Sequence, residues 1–424
     1  MALSALLITF VLLIIIGTPI AYNLLISTLV YLVVGDFPAV LIALRMYEGM
    51  NSFPLLAVPF FVMTGQFMLK GDLLSGLIDL VNAFFGRIKG ALAIVTVLTC
   101  LLMGSIVGLA VASAAALGSF LIPMMKEEKY SPAFSSAVLS SASLLGPIMP
   151  PSVLMILYCI AVGRTSIAGV FMAAIVPALM ITLFQTLVIN RIAVKRNYPS
   201  YPPVPFEKKM KALKSSLLAL LLPVIILGGI FGQVFTVSEA ASVSALYSFI
   251  VAFFVKKKLK IKDFPQIFME TALTTGLVII LAGTGTVAAW AIANERIVDT
   301  LMAPLSTLSP WLFLLLVNVV LLINGMFMDD YASIVILAPI IAPIAWSLGI
   351  DPLHIAVIIC INLVIGLATP PFGIALFVTS PIAGVKIEET VKEALPMMIV
   401  SILVLFLITF VPEIVLFLPR LAGY

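Results

Sequence analysis

Two long apolar runs are each broken by a Pro-Pro pair with a glycine four residues before its first proline: GPIMPPS at 146–152 and GLATPPF at 366–372. Proline removes a backbone donor, and its ring clashes with the preceding turn of a helix. Such a pair in a run of membrane-crossing length therefore commits the chain to a break at membrane depth. Irregular backbone is tolerated there only where protein or a water-filled cavity covers its polar groups. No other feature narrows the possible folds as much.

The breaks stand at a fixed offset. Pro370 follows Pro150 by 220 residues, and Gly366 follows Gly146 by the same 220. Pro123 and Pro343, Pro132 and Pro352, and Thr64-Gly65 and Thr284-Gly285 repeat that spacing. Punctuation residues at one ungapped offset indicate an internal duplication, with halves 1–200 and 215–424. Between them the polar, Pro-rich KRNYPSYPPVPFEKKMK (195–211) leads into a linker over 201–214. Membrane proteins with two-fold repeats of this size are mostly transporters. The class is all-α polytopic membrane protein: 63% of residues are hydrophobic and 10% charged, against about a quarter charged in soluble domains. The apolar stretches are continuous, as in helices, rather than short and alternating, as in barrels.

Charge sets the expected topology. RIAVKR (191–196), KKMKALK (208–214) and KKKLKIK (256–262) are basic and mark cytoplasmic loops. Residues 215–255 between them suffice for two spans of about 20 residues each, with FGQVFT (231–236) turning outside. The counterpart, 3–34 with its turn at GTP (17–19), has no basic residue at its ends. The same rule places those ends outside, so the repeats are inverted and both termini are expected in the periplasm. The apolar start from Ala2, with no basic n-region, reads as a first span rather than a cleaved signal. Arg87 and Lys89 precede the apolar stretch 90–122, and Lys126 and Lys129 follow it. Both ends are then cytoplasmic. Two arms of about 14 residues would each be near 21 Å long, about two thirds of a bilayer core. This is a re-entrant hairpin over about 88–125 with its tip at GSIVG (104–108). Its mirror spans about 308–346, with the tip at NGMFMDD (324–330), entering from outside. Broken spans follow at 133–163 and 353–383. A span at 50–69 (mirror 270–289) and an interfacial helix at 71–86 complete the unit, with Asp72, Asp79 and Asn82 among leucines.

Tips and breaks leave carbonyls and amides without helical partners. Where they face each other, carbonyls and hydroxyls can ring a hard cation, while helix N-termini offer amides to an anion. The candidate Na⁺ ligands are Gly104, Ser105, Gly108, Gly146, Met149 and Pro150 in the first half. In the second they are Asn324, Gly325, Gly366, Thr369 and Pro370, with Met328 beside them at the tip. Ser143, Pro151, Asp329 and Pro371 are the candidate substrate contacts. Small residues also pack helices closely, which is the reading preferred for ASAAALGS (112–119).

Asp329 and Asp330 are carboxylates at apparent membrane depth, which are functional candidates by default. Neighbouring helical positions point about 100° apart, so the two do not serve one ion. No second carboxylate converges as an intramembrane aspartyl protease would require, and the chain is read as a non-enzyme. Arg45, Glu48, Arg164 and Glu239 suit span ends. Cys100, Cys159 and Cys360 stand alone and fit neither disulfide nor metal knuckle. His354, beside Pro352, reads as a loop or interface histidine. Neither a P-loop nor a basic aromatic face for nucleic acid occurs.

These residues resemble the large membrane (M) subunit of TRAP transporters, the tripartite periplasmic transporters of bacteria and archaea. The matching pieces are GPIMPPS (146–152), GGIFGQVFTVSEAA (228–241), NGMFMDD (324–330), LGIDPLH (348–354) and GLATPPFGIALFV (366–378). Where the family reads Thr-Pro-Thr-Glu-Ala, this chain has Val237 and Ser238 before Glu239. The acidic residue often found after the first tip is replaced by Ala112-Ser113. The resemblance implies an elevator-type carrier in the bacterial inner membrane, importing an organic acid such as a C4-dicarboxylate or sialic acid with Na⁺. It implies two partners, a small four-helix membrane subunit on a separate chain and a periplasmic substrate-binding protein. The alternatives are a stand-alone Na⁺- or H⁺-coupled anion transporter and an anion channel.

Overall fold

The computed structural model describes residues 1–424 except 109, 203, 306, 371 and 372, and describes the backbone alone at 105–107, 112 and 303. The described residues form helices joined by turns, without strands. Among them, eight helices are long and apolar enough to cross a bilayer, and Pro132–Ile148 with Val153–Val162, bent by 46° at the break, makes a ninth.

The chain opens with Ala2–Ile15 and Ile20–Val34, turning at Gly17 with φ +81°. At 14 and 15 residues these helices are about 21–23 Å long. They are therefore shorter than the two full spans expected over 3–34, against a core of about 30 Å. Val40–Met50, a helix without counterpart in the expectation, packs on Phe264–Asn294. The span Ala57–Lys70 and the interfacial helix Leu73–Phe85 follow. The latter buries Leu73, Gly76, Leu77, Leu80 and Val81, the i, i+3, i+4, i+7 stripe of an amphipathic helix.

The first hairpin is Ala91–Val107 and Ala110–Glu127, of 17 and 18 residues. Its arms exceed the expected 14 because helix persists past Gly104 and stops only where Gly108 takes φ +66°, a left-handed cap that glycine adopts without steric cost. Gly104 and Ser105 thus lie in the last turn of an arm rather than at the apex. The second hairpin is Pro310–Phe327 and Asp330–Ser347, turning through extended Met328 and Asp329. Adding 220 to the first hairpin's bounds gives 311–327 and 330–347, nearly its residues.

The first broken span runs Pro132–Ser143, Leu145–Ile148 and Val153–Val162, and the second Pro352–Gly366 and Ile374–Ala383. Every residue from His354 to Gly366 is buried, so this pair forms the centre of the molecule. Side-chain hydrogen bonds cross it: Ser136 to Thr379 at 2.9 Å, Asn362 to Asn318 at 2.8 Å, and Gln185 to Ser401 at 3.0 Å. The long helices Ile167–Lys195 and Ile387–Phe410 flank the centre and leave Leu183, Leu187, Ile399 and Leu403 exposed, as lipid-facing surfaces do.

The linker is shorter than the expected 201–214, because Phe206–Phe231 starts inside it behind Pro205 and carries Lys208, Lys209, Lys211 and Lys214 in its first turns. The preceding residues dock under the first hairpin. Tyr198 stacks on Tyr130 at 4.4 Å, Gly90 N–H donates to Pro199 O at 3.1 Å, and Tyr201 N–H donates to Gly86 O at 2.8 Å.

Candidate functional site

Each hairpin docks its tip on the break of its own half, glycine against glycine. A Cβ on Gly104 would stand 2.8 Å from Gly146 Cα and 2.8 Å from Leu145 O. A Cβ on Gly108 would stand 2.9 Å from Pro151 O. In the second half, a Cβ on Gly366 would be 2.5 Å from Gly325 Cα, and one on Gly325 would be 3.0 Å from Gly366 Cα. Hydrogen alone fits at these contacts, so backbone approaches backbone where both helices end. Tip faces break through Gly104, Gly108, Gly146 and Pro151 in the first half, and through Gly325 and Gly366 in the second.

The breaks are built locally. Met149 and Ser152 take extended conformations, and Ser152 Oγ accepts from Met155 N–H at 3.4 Å while donating to Pro147 O at 2.6 Å. Pro150 lies between them. Ser143 is buried before the break, and its hydroxyl donates to Ser140 O at 2.9 Å. Thr369 Oγ1 donates to Ile365 O at 2.8 Å, which leaves its lone pairs for a cation; Pro370 follows it. Pro371 and the Ser105 side chain lie outside the described residues.

Polar groups at the second tip satisfy one another. Asn324 Nδ2 donates to Ser333 Oγ at 2.6 Å, and that hydroxyl donates to Asp329 O at 2.7 Å. Asp329 Oδ1 caps the second arm, accepting from Tyr331 N–H at 3.0 Å and Ala332 N–H at 3.4 Å. Asp330 is buried with Oδ1 accepting from Tyr331 N–H at 3.1 Å. The first tip is furnished differently. Ser113, 220 residues before Ser333, is buried, and its hydroxyl has no partner among the described residues. Thr99, Ser140 and Ser141 carry similarly unpartnered buried hydroxyls in the same half. A buried hydroxyl without a partner costs stability unless something fills the position. The sequence reading placed Ser113 in a close-packing stretch and passed over Ser140 and Ser333. The signal was present, since Ser113 and Ser333 obey the 220 offset. Among the described residues no cluster of three His, Cys, Asp or Glu side chains converges. A cation at the breaks would therefore meet carbonyl and hydroxyl oxygens.

The two hairpins differ in their outer contacts. The second is packed on Phe264–Asn294, where a Cβ on Gly285 would fall 1.6 Å from Val335 Cγ1. Only about 90 Å³ of space remains between them, lined by Leu157, Thr286, Val335 and Pro339. The first hairpin's second arm stands off Ala57–Lys70 across a cleft of about 310 Å³ lined by Gln66, Lys70, Ser75, Ser119 and Glu270, and Phe120 on that face is 64% exposed. Lys70 Nζ donates to Gln266 Oε1 at 2.9 Å, and Gln266 Nε2 donates to Glu270 Oε1 at 2.8 Å. An amide thus holds the ammonium and the carboxylate apart.

Residues 7–414 match the family model described as tripartite ATP-independent periplasmic transporter, DctM component. The chain is 39% identical over 384 residues to the C4-dicarboxylate TRAP transporter large permease protein DctM of Pseudomonas aeruginosa, covering 90% of each chain. It is 34% identical over 412 residues to the sialic acid TRAP transporter large permease protein SiaM of Vibrio cholerae, covering 96% of each. In fold it resembles the YdaH transporter of Alcanivorax borkumensis, with a TM-score of 0.58 at 17% identity over 86% of both chains.

Proposed function

This chain belongs to the DctM component family of tripartite ATP-independent periplasmic transporters, and from that footing we propose that it imports a small organic acid across the bacterial inner membrane, driven by Na⁺. The carried acid is a C4-dicarboxylate or a sialic-acid-like monoanion, the cargoes in the names of its relatives. A periplasmic binding protein delivers it, and a separate small four-helix subunit completes the membrane unit.

The observation that carries the reading is the doubled docking of glycine on glycine, Gly104 on Gly146 and Gly325 on Gly366. Each contact brings helix ends together away from lipid, where carbonyl oxygens bind a hard cation and amides at helix starts attract a carboxylate. One Na⁺ site per half follows from the duplication. The inverted arrangement of the halves is supported by the lysines and arginines around 191–214 and 256–262. An elevator motion is supported by the unequal outer contacts of the two hairpins. The first hairpin, whose basic ends belong in the cytoplasm, faces an open cleft, while the second is sealed. The conformation is then open to the cytoplasm.

Charge arithmetic supplies the test. Two Na⁺ with a monoanion move one net positive charge inward, and 100 mV contributes about 2.3 kcal/mol to that charge, near 50-fold accumulation. Two Na⁺ with a dianion are neutral. Uptake into proteoliposomes, with binding protein and small subunit supplied, is expected to need Na⁺ with a Hill coefficient above one. Sialic acid uptake should rise with an inside-negative potential, and succinate uptake should not. Transport of neither acid in a Na⁺ gradient would refute the reading.

A further inference from the structure

We propose that the groove between Leu73–Phe85, the first arm of the first hairpin and Phe206–Phe231 binds an anionic phospholipid. The groove holds about 300 Å³ and is lined only by apolar side chains, among them Leu80, Phe84, Leu98, Leu101, Leu213 and Leu220. It offers no polar atom to orient a polar ligand, which suits an acyl chain. One end of the groove is charged. Lys209, Leu213 and Leu220 stand at i, i+4 and i+11 on Phe206–Phe231, one face of the helix. Lys209 therefore tops the stripe whose leucines line the groove. Its Nζ lies 5.3 Å from the centroid of the Phe84 ring, which holds the ammonium at the groove mouth. Lys208 and Lys211 flank it on the same turns, with Glu207 the acid of the first turn. Arg87 extends from the end of the adjoining interfacial helix. Cations above an apolar slot complement a phosphodiester headgroup with its tail in the slot. Of the other basic clusters, 256–262 pairs Lys258 with Asp72 at 4.0 Å.

The test is native mass spectrometry of the delipidated, full-length chain with dioleoylphosphatidylglycerol or dioleoylphosphatidylcholine. Phosphatidylglycerol is expected to bind more tightly. Lys209→Gln with Lys211→Gln should weaken it by about fivefold per charge removed, roughly 25-fold together, while Lys257→Gln leaves it unchanged. Leu213→Trp, which fills the slot, should weaken both lipids alike; if that variant does not fold, the lysine variants still decide. Equal affinity for the two lipids, or indifference to the lysine pair, would overturn the proposal. So would a photo-cross-linker at Leu213 in native membranes that captures a protein subunit in place of lipid.

Discussion

The two tip-and-break contacts share a backbone and differ in everything placed upon it. Both press a glycine of the hairpin onto a glycine of the break. The second tip closes its polar groups into a network of Asn324, Ser333 and Asp329. The first presents Gly104 and Gly108, and its Ser113 hydroxyl has no partner among the described residues. The second hairpin is wedged on Gly285, whereas the first overlooks a cleft. The two contacts thus share the close approach that breaks require, while side chains leave one hairpin wedged and the other beside a cleft.

The largest effect should come from filling the glycine contacts. Gly366→Ala would put a Cβ 2.5 Å from backbone, and overpacking of this kind costs about 1–3 kcal/mol. Near-complete loss of uptake is expected, with Gly104→Ala, whose Cβ would stand 2.8 Å from Gly146 Cα, close behind. Gly118→Ala meets only side-chain atoms, Leu139 Cδ2 at 2.9 Å and Ile382 Cδ1 at 3.0 Å, and should retain most activity. Initial uptake rates rank them, and equal rates would show that the close approach is dispensable.

Cysteine pairs test the outer asymmetry. A Cβ at 285 would stand 3.1 Å from Val335 Cβ, just under disulfide spacing of about 3.5–4.5 Å. Gly285→Cys with Val335→Cys should cross-link readily and block uptake. Subtracting 220 gives Gly65 and Ala115, each one residue from Gln66 and Ala116, which line the cleft. Gly65→Cys with Ala115→Cys should cross-link only when the carrier cycles outward, and more in the presence of substrate-loaded binding protein. Equal cross-linking of both pairs at rest would remove the asymmetry.

Smaller effects separate the tips. Ser333→Ala deletes two hydrogen bonds and should lower stability by about 1–3 kcal/mol. Ser113→Ala deletes a hydroxyl without a partner among the described residues, so stability without Na⁺ should hold or rise while Na⁺ activation shifts by about fivefold or more, the effect of about 1 kcal/mol at an ion ligand. Thermal denaturation and Na⁺ titration of uptake read the two effects apart, and a destabilised Ser113→Ala with normal Na⁺ activation would reverse the assignment.

The smallest concerns the first hairpin's base. Burial pushes the Glu128 carboxyl up from its ordinary value, and Tyr201 donates to its Oε1 while Oε2 has no partner among the described residues. An acid raised in the folded state binds its proton more tightly there than when unfolded. Its contribution is greatest at low pH and declines as pH rises from the unfolded value, about 4.3, through the folded one. Glu128→Gln should therefore flatten the melting temperature between pH 4 and pH 7. Position 348, its counterpart at 220, is a leucine, so Leu348→Met should leave that profile alone. A Glu128→Gln profile matching the parent would show that this carboxyl is not linked to folding.

Local chemistry was enough to determine that the chain breaks at the doubled prolines. Proline lacks its donor and glycine tolerates left-handed φ wherever they stand, so the Pro150 and Pro370 breaks, the hairpins and the element order at 220 were legible from residue type and spacing. The length of the arms was not, because helix continues through Gly104 until a tertiary contact with Pro151 makes the turn at Gly108 worthwhile. Nor was Val40–Met50, whose one buried residue, Gly49, sits against Thr286 of Phe264–Asn294, more than 200 residues away. Thr64-Gly65 and Thr284-Gly285 are the same dipeptide, yet the second has the Val335 side chain wedged on its glycine, while a cleft opens beside Gln66, next to the first. That choice belongs to tertiary packing, since two arrangements of equivalent helices differ only in non-local contacts, which local sequence does not encode.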